Sequence, residues 1–511
     1  MLLTRQSKQF AKPFYSTLPA KSEKKTSHFS RFSRSDKANE KLRTKYLSID
    51  PLPTEIDLKV SHVMMPFDQD NHLLLLNLVT DELIVKPSTF VCVLDVSGSM
   101  NSSLSLANDP ESSMFSRLDL VKHSVNIIIH CLQPEDSLSL IVFDNNARTI
   151  LDTTKMDTNG KKAAQKVLYQ IVPSGKANLW DGLNQSLDVL NKLNNPAKNK
   201  FIVLLTDGEP NCNPQKGILN AFINRLDGQM RGNLHTIGYG YDLDSKLLLD
   251  LARCGDGAFM HVPDYSMCNK VFINLLSNCL TTSVQNVRAT IQNHNSIIPK
   301  WLNSLSRYDS GLSQFQMNIG PIKCGQPRRI PILIPNSDIN LDIRIDLEYD
   351  GKHQEYIAPG TNLNPITDSI FFNGIIKANM LPIIQRELES VDPSHQKICV
   401  ELQQLYYRVE RVKQHLAYID PQLDAWLKKI QSSDVQLEQL IKALENPKYF
   451  NECGIHYLNY FMRSHELDTS LQSYGNKLFR DIRSEIEEII ADIPIPQPTL
   501  PKVVSDLSSK P

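Results

Sequence analysis

Between Phe90 and about Thr282, short apolar runs alternate with amphipathic stretches, and this alternation narrows the fold more than any other feature. The runs "FVCVL", "LSLIVF", "FIVLL" and "LHTIGYG" have the length of buried strands. Between the first two lies a stripe of Leu118, Val121, Val125, Ile128, Ile129 and Leu132 at helical spacing. Strand, crossover helix and strand in repetition make neighbouring strands parallel. The expected fold is therefore α/β, a doubly wound, mainly parallel sheet with helices on both faces.

The 511-residue chain is too long for one ordinary core, and its patterning changes along its length. Residues 1–50 are polar and rich in Lys and Ser, which predicts a disordered basic N-terminus. Residues 51–87 hold two apolar runs around the turn-forming "PFDQDN" and read as strands. The α/β segment occupies 88–282. Over 283–366 the apolar period falls to two, most cleanly at Leu341, Ile343, Ile345, Leu347 and Tyr349, which predicts a β-sandwich-like domain. Pro331 confines its strand to an edge or a bulge. The simplest arrangement pairs the early strands with this later β domain and inserts the α/β segment between them. Over 367–493 the helical period returns, with one stripe from Leu402 through Val409 to Leu416 and another from Leu478 to Ile493. This predicts a helical C-terminal domain, and 494–511 read as a Pro-rich disordered tail.

Charge excludes some partners. With 55 basic and 56 acidic residues, no global field favours nucleic acid or an anionic membrane. No apolar run is long enough for a membrane span. Nine cysteines at 92, 131, 212, 254, 268, 279, 324, 399 and 453 form no CxxC pair and no zinc-finger spacing, so reduced thiols and a cytoplasmic location are expected. The first acidic residue is Glu23, which makes the N-terminus similar in composition to a mitochondrial presequence; import is the other reading.

Two strands end in oxygen-bearing side chains. "VCVLDVSGSM" presents Asp95, Ser97 and Ser99; "FIVLLTDGEPN" presents Thr206, Asp207 and Glu209. Ligands of an open parallel sheet sit beyond the carboxyl ends of its strands, and carboxylates with hydroxyls suit a hard cation such as Mg²⁺. A Gly-x-Ser-x-Gly elbow fails because Asp95 stands where the first Gly belongs. A phosphate-cradling loop fails at "SGKAN", where Ala177 follows Lys176 and no Gly stands at 170. An Asp-x-Asp phosphatase nucleophile fails at Ser97. Capped turns would explain either loop alone, but not both at matching strand ends.

"DVSGSM" and "LLTDG", with "IVFDNNA" and "HTIGYGYDLDSKLLLDLA", resemble the von Willebrand factor A (VWA) domain and its metal-ion-dependent adhesion site, MIDAS, over roughly residues 88 to 282. The resemblance implies a Rossmann-like sheet and Mg²⁺ or Mn²⁺ held by Asp95, Ser97, Ser99 and Asp207. Where the family places a Thr in Gly-Thr-Asn-Leu, this chain has Lys176, Ala177, Asn178 and Leu179, so weaker metal binding is expected. Asn178, Asp181 and Glu209 are candidates for supporting contacts, with Asn178 holding the loop and Asp181 capping the next helix. "VFINLLSNCLTT" and "IHYLNYFMRSHELDTSLQSYGNKLF" resemble the intracellular eukaryotic group in which an A domain precedes a β region and a helical tail, some members of which carry a Hint module that this chain lacks.

The leading expectation is an intracellular, non-enzymatic protein that binds an acidic group on a protein partner through the cation. The alternative is a scaffold with a degenerate metal site that binds through its helical C-terminal domain. Metal-assisted hydrolysis ranks below both, since no His, Cys or Lys is placed by motif beside the metal; His235 on a core strand reads as a packed histidine.

Overall fold

The computed structural model describes residues 56–66, 69–80, 85–104, 114–193, 198–226, 230–292, 307–309, 314–336, 342–359, 379–386, 388–389, 396–407, 441, 450, 454–469 and 476–500. The expected basic N-terminus 1–50, the helical stripe from Val409 to Leu416 and residues 501–511 lie outside this set. The chain divides into two compact units, one built from 1–85 with 281–480 and the other from 86–280 with 481–511.

The first unit starts with β1 (Lys59–Pro66) and β2 (Asn71–Val79), an antiparallel pair. The second unit is α/β. Its strands are β3 (Ser88–Asp95), β4 (Ser137–Phe143), β5 (Ala147–Lys155), β6 (Asn199–Thr206), β7 (Asn233–Tyr239) and β8 (Asp256–Val262). They lie in the order β5-β4-β3-β6-β7-β8, all parallel except β5, which runs against β4. Every residue of β3, β4, β7 and β8 is buried, as expected of strands covered on both faces. The covering helices are α1 (Arg117–Cys131), α2 (Thr158–Tyr169), α3 (Leu179–Lys192), α4 (Ile218–Leu226), α5 (Ser245–Cys254) and α6 (Tyr265–Leu280). α1 packs on α2 and α6, whereas α4 packs on α3 and α5, so the helices fall into two layers.

Local chemistry starts these helices. Ser116 caps α1 in a reciprocal capping box: its hydroxyl accepts from the Asp119 amide at 3.1 Å, and the Asp119 carboxylate accepts from the Ser116 amide at 2.9 Å. Asp157 caps α2 by accepting from the amides of Asn159 and Gly160. Between these helices the chain runs from β3 outward to β4 and returns to β6 on the other side of β3. That reversal of direction makes the carboxyl ends of β3 and β6 the switch point of the sheet.

Residues 481–511 also belong to this unit, and of the expected disordered tail the structure describes residues 494–500. Residues 494–500 form neither helix nor strand, and Thr499 is held at the start of α1. Its hydroxyl donates to Asp119 Oδ2 at 2.7 Å and its amide to the same oxygen at 3.2 Å. The Leu500 amide donates to the Met114 carbonyl at 3.3 Å. A carboxylate already fixed by a capping box is a preorganised acceptor, and this gives a Pro-rich segment a seat that its composition alone does not announce.

The first unit continues with β9 (Thr282–Gln292), β10 (Arg307–Asp309), β11 (Gln314–Lys323), β12 (Arg328–Pro335), β13 (Ile343–Tyr349) and β14 (Lys352–Ala358). β12 pairs antiparallel with β2 in a sheet ordered β1-β2-β12, and Pro331 therefore sits on an edge strand, where its missing N–H leaves no ladder bond unmade. The other sheet has the order β10-β11-β9-β13-β14. Leu74, Leu76, Ile332, Val287, Ile345 and Leu347 come from both sheets and share one buried core. Helical residues follow at 379–386 and 396–407, then α7 (Ile455–Glu466) and α8 (Lys477–Ala491). Just after α7, Asp468 accepts from Arg328 Nη1 at 2.9 Å and from the Arg329 amide at 3.1 Å, in a buried ion pair that ties this turn to β12.

Candidate metal centre

β3 and β6 pair in register up to Leu94 and Leu205, which leaves Asp95 and Thr206 side by side at the carboxyl edge of the sheet. Thr206 Oγ1 donates to Asp95 Oδ2 at 2.6 Å, and the Ser97 amide donates to Asp95 Oδ1 at 2.9 Å. Both oxygens of a fully buried carboxylate are thereby fixed. After Asp95 the chain makes a short 3-10 turn, Gly98–Asn101, that brings Ser97 Oγ and Ser99 Oγ to 3.1 Å of each other. On the other strand Asp207 is also fully buried. Gly208 follows with φ +78°, turning the chain in a conformation that costs glycine little, and its amide donates to Thr206 Oγ1 at 3.0 Å.

Burial raises the pKa of Asp95, the negative charge of Asp207 adds to the rise, and the hydrogen bonds from Ser97 and Thr206 oppose it; the result is about 6. Two carboxylates have been brought together where water cannot screen them. The protein answers with one cation of its own. Arg117, the first residue of α1, donates from Nη1 to Asp207 Oδ2 at 2.9 Å and from Nη2 to the exposed Asp242 at 3.4 Å.

The loop before α3 closes the other side. The Gly98 amide donates to the Gly175 carbonyl at 3.0 Å, and the Ser174 amide to the Val96 carbonyl at 2.7 Å. Ala177 is bound in both directions to the segment after β6: its amide donates to Asn211 Oδ1 at 3.1 Å and its carbonyl accepts from the Asn211 amide at 3.0 Å. This loop thus touches both strand ends, through Ser174 and Gly175 on one side and Ala177 on the other, but the buried Ala177 side chain is a methyl group with no oxygen to offer. Asn178 holds the loop as expected, its Nδ2 donating to the Asn145 carbonyl at 3.1 Å and its amide to the Asp144 carbonyl at 2.8 Å. Asn178, rather than Asp181, also caps α3 by accepting from the Asp181 amide at 3.3 Å, while Asp181 accepts from the Ala147 amide at 2.6 Å. Glu209 is exposed, with its amide 3.5 Å from Asp207 Oδ1.

The donors gathered here are two carboxylates and two hydroxyls, hard oxygens of the kind that Mg²⁺ and Mn²⁺ take. Asp95, Ser97, Ser99 and Asp207 therefore fit such an ion by chemistry, with Ser99 partly exposed and the other three buried, and with Arg117 placed against one of the carboxylates. Among the described residues no group of three or more His, Cys, Asp or Glu side chains is placed to hold a metal. His235 is a core histidine, accepting from the Ala258 amide at 3.1 Å on Nδ1.

Arg117 and Asp242 are the participants that sequence patterns did not single out. Thr206 is visible in the strand-end motif, but its bond to Asp95 is not. Arg117 carries a signal: a cation in the first turn of a helix opposes the helix dipole, so its presence there asks for a nearby carboxylate.

Residues 90–209 match the family model of the von Willebrand factor type A domain. This segment is a VWA-type domain. The A domain is 27% identical over 216 residues to the human inter-alpha-trypsin inhibitor heavy chain H2, a match covering 40% of this chain and 21% of that one. Heavy chain H3 of Bos taurus is 26% identical over 215 residues, covering 40% and 22%. The match thus spans about a fifth of the length of these curated relatives. Among solved structures, a von Willebrand factor type A protein from Catenulispora acidiphila superposes with a TM-score of 0.53 at 14% identity, over 76% of this chain and 96% of that one. That likeness is one of fold, and it reaches beyond the A domain. No helix among the described residues is long and apolar enough to cross a membrane.

Proposed function

We propose that the protein is a non-enzymatic interaction protein whose A domain holds Mg²⁺ or Mn²⁺ with Asp95, Ser97, Ser99 and Asp207, and through that ion binds an acidic group on a protein partner. The observation that carries this reading is the convergence of two buried carboxylates and a pair of hydroxyls 3.1 Å apart at the switch point of the sheet. A bound divalent ion would supply positive charge with a coordination position for a carboxylate oxygen. The chain's own part is to fix the donors: Thr206 and the Ser97 amide orient Asp95, and the 3-10 turn sets the two hydroxyls. An intracellular role in the reducing cytoplasm, like that of the group it resembles, is supported by the spacing of the nine cysteines, which forms no CxxC pair.

Titration calorimetry of Mg²⁺ and Mn²⁺ into the full chain tests this reading, together with capture of a carboxylate-bearing partner by wild-type protein and by Asp95→Ala. Saturable binding to wild type, lost in Asp95→Ala with partner capture, is the expected result. Absence of metal binding under any condition sinks it.

A second reading is favoured by Ala177 and by the Arg117–Asp207 ion pair, which neutralises a ligand carboxylate without metal. In it the A domain is a scaffold, and contacts come from the helical C-terminal region; partner capture would then survive Asp95→Ala.

A further inference from the structure

The geometry points to Arg117 as a tethered counter-cation of the metal centre: a guanidinium that occupies Asp207 when the site is metal-free and that a divalent ion must displace. This rests on the divalent-cation reading of the site and adds to it a device that sets metal affinity from within the chain.

Charge comes first. Asp95 and Asp207 are both fully buried, and two anions so close repel each other unless a cation stands between them or beside them. Arg117 is that cation, with a side chain only 9% accessible and Nη1 at 2.9 Å from Asp207 Oδ2. A divalent ion drawing on the same carboxylate meets the guanidinium's positive charge at short range in a poorly screened setting.

The way Arg117 is held also suits displacement. Its Nε is buried without a hydrogen-bond partner, so the planar fork is engaged through its Nη atoms alone. Gly240 borders the guanidinium near Nε, where an added Cβ would lie 3.1 Å from Leu104 Cδ2, 3.4 Å from Nε and 3.5 Å from Nη2. The second carboxylate, Asp242, is 78% accessible and sits 3.4 Å from Nη2. Asp242 gives the guanidinium an outer anchor to which it can retreat without leaving its helix. The main chain at Arg117, by contrast, is fixed: Ser116 and Asp119 lock the first turn of α1, Thr499 bonds to both, and the Arg117 amide donates to the Ser102 carbonyl at 2.9 Å. A movable charge on an immobile base is the arrangement a tethered competitor requires.

Arg117→Gln in the full chain tests the inference with two readouts. Calorimetric titration of Mn²⁺ and Mg²⁺ is expected to show binding at least tenfold tighter than in wild type. In chelator the variant is expected to unfold at lower temperature than wild type, because its buried carboxylate pair has lost its cation, and to gain more on saturation with Mn²⁺. Equal or weaker metal binding by the variant overturns the inference while leaving the divalent-cation reading intact; no binding by either protein overturns both. The wild-type protein gives a third readout that is independent of how the variant folds. Modification of Arg117 by an arginine-selective dicarbonyl reagent, mapped by mass spectrometry, is expected to rise several-fold when Mn²⁺ saturates the site. Unchanged labelling at saturating Mn²⁺ overturns the displacement.

Discussion

Asp95→Asn should stabilise the metal-free A domain at neutral and alkaline pH, and should lose that advantage in acid. The wild-type carboxyl rises from 3.8 to about 6, chiefly through burial and then through the charge of Asp207. A folded-state pKa above the unfolded one means that the folded protein binds the proton more tightly. The group's contribution to stability is therefore fully present below about pH 3.8 and is lost as pH rises through about 6. The span corresponds to roughly 3 kcal/mol, at 1.36 kcal/mol for each pKa unit. Asparagine removes the buried charge but not every cost, because Thr206 now donates at 2.6 Å to an atom that can become an amide nitrogen, and a mispaired buried hydroxyl costs about 1 kcal/mol. The balance is a gain of about 2 kcal/mol at pH 8 in chelator, roughly a 30-fold slowing of hydrogen exchange at the β3 amides Cys92 to Leu94 if they exchange by unfolding of the unit. At pH 4 the sign should reverse, leaving the variant roughly 0.5 kcal/mol less stable, because the unfolded carboxyl is by then more than half ionised. Measuring both proteins at each pH cancels the intrinsic exchange rate. A variant less protected than wild type at pH 8, or a gain of the same size at pH 4 and pH 8, would refute the reasoning that buried charge at Asp95 is the dominant strain in this site.

Two further outcomes follow from the same geometry. Ala177→Thr places a hydroxyl in the loop that both strand ends bond to, and should tighten Mg²⁺ binding by about tenfold, the worth of one well-made interaction of roughly 1.4 kcal/mol; unchanged affinity by calorimetry would mean that position 177 does not face the ion. Thr499→Val removes the hydroxyl that donates to Asp119 at 2.7 Å and should cost about 1 kcal/mol. The check is limited proteolysis of the 494–500 segment, and cleavage no faster than in wild type would show that the segment is held by something other than Thr499.

Much of the A domain was legible because its signals are local. Strand runs buried on both faces read as continuous apolar stretches, and the Asp-x-Ser-x-Ser turn lies within five residues of one strand end. Ala177 stood out for the same reason, as a single departure from a contiguous motif. That Asn178 rather than Asp181 caps α3 was not legible: both residue types accept hydrogen bonds from amides, and which amide each finds depends on where the Asp144–Ala147 turn comes to rest against α3. The seat of Thr499 was hidden by composition, since a Pro-rich segment has weak local preferences and its acceptor, Asp119, lies 380 residues away in the chain.

By itself the sequence determined the fold class, the strand ends that carry oxygen ligands and the missing Thr hydroxyl, because each of these is written in the period or spacing of neighbouring residues. Only the tertiary structure decided that Thr206 orients Asp95 across a separation of 111 residues, and that Arg117 neutralises Asp207 across 90. Contacts at such separations leave no periodicity in the chain. They arise when parallel strands come into register and a helix terminus is set down beside them, so the charge balance of the site is a property of the packed sheet and its first helix.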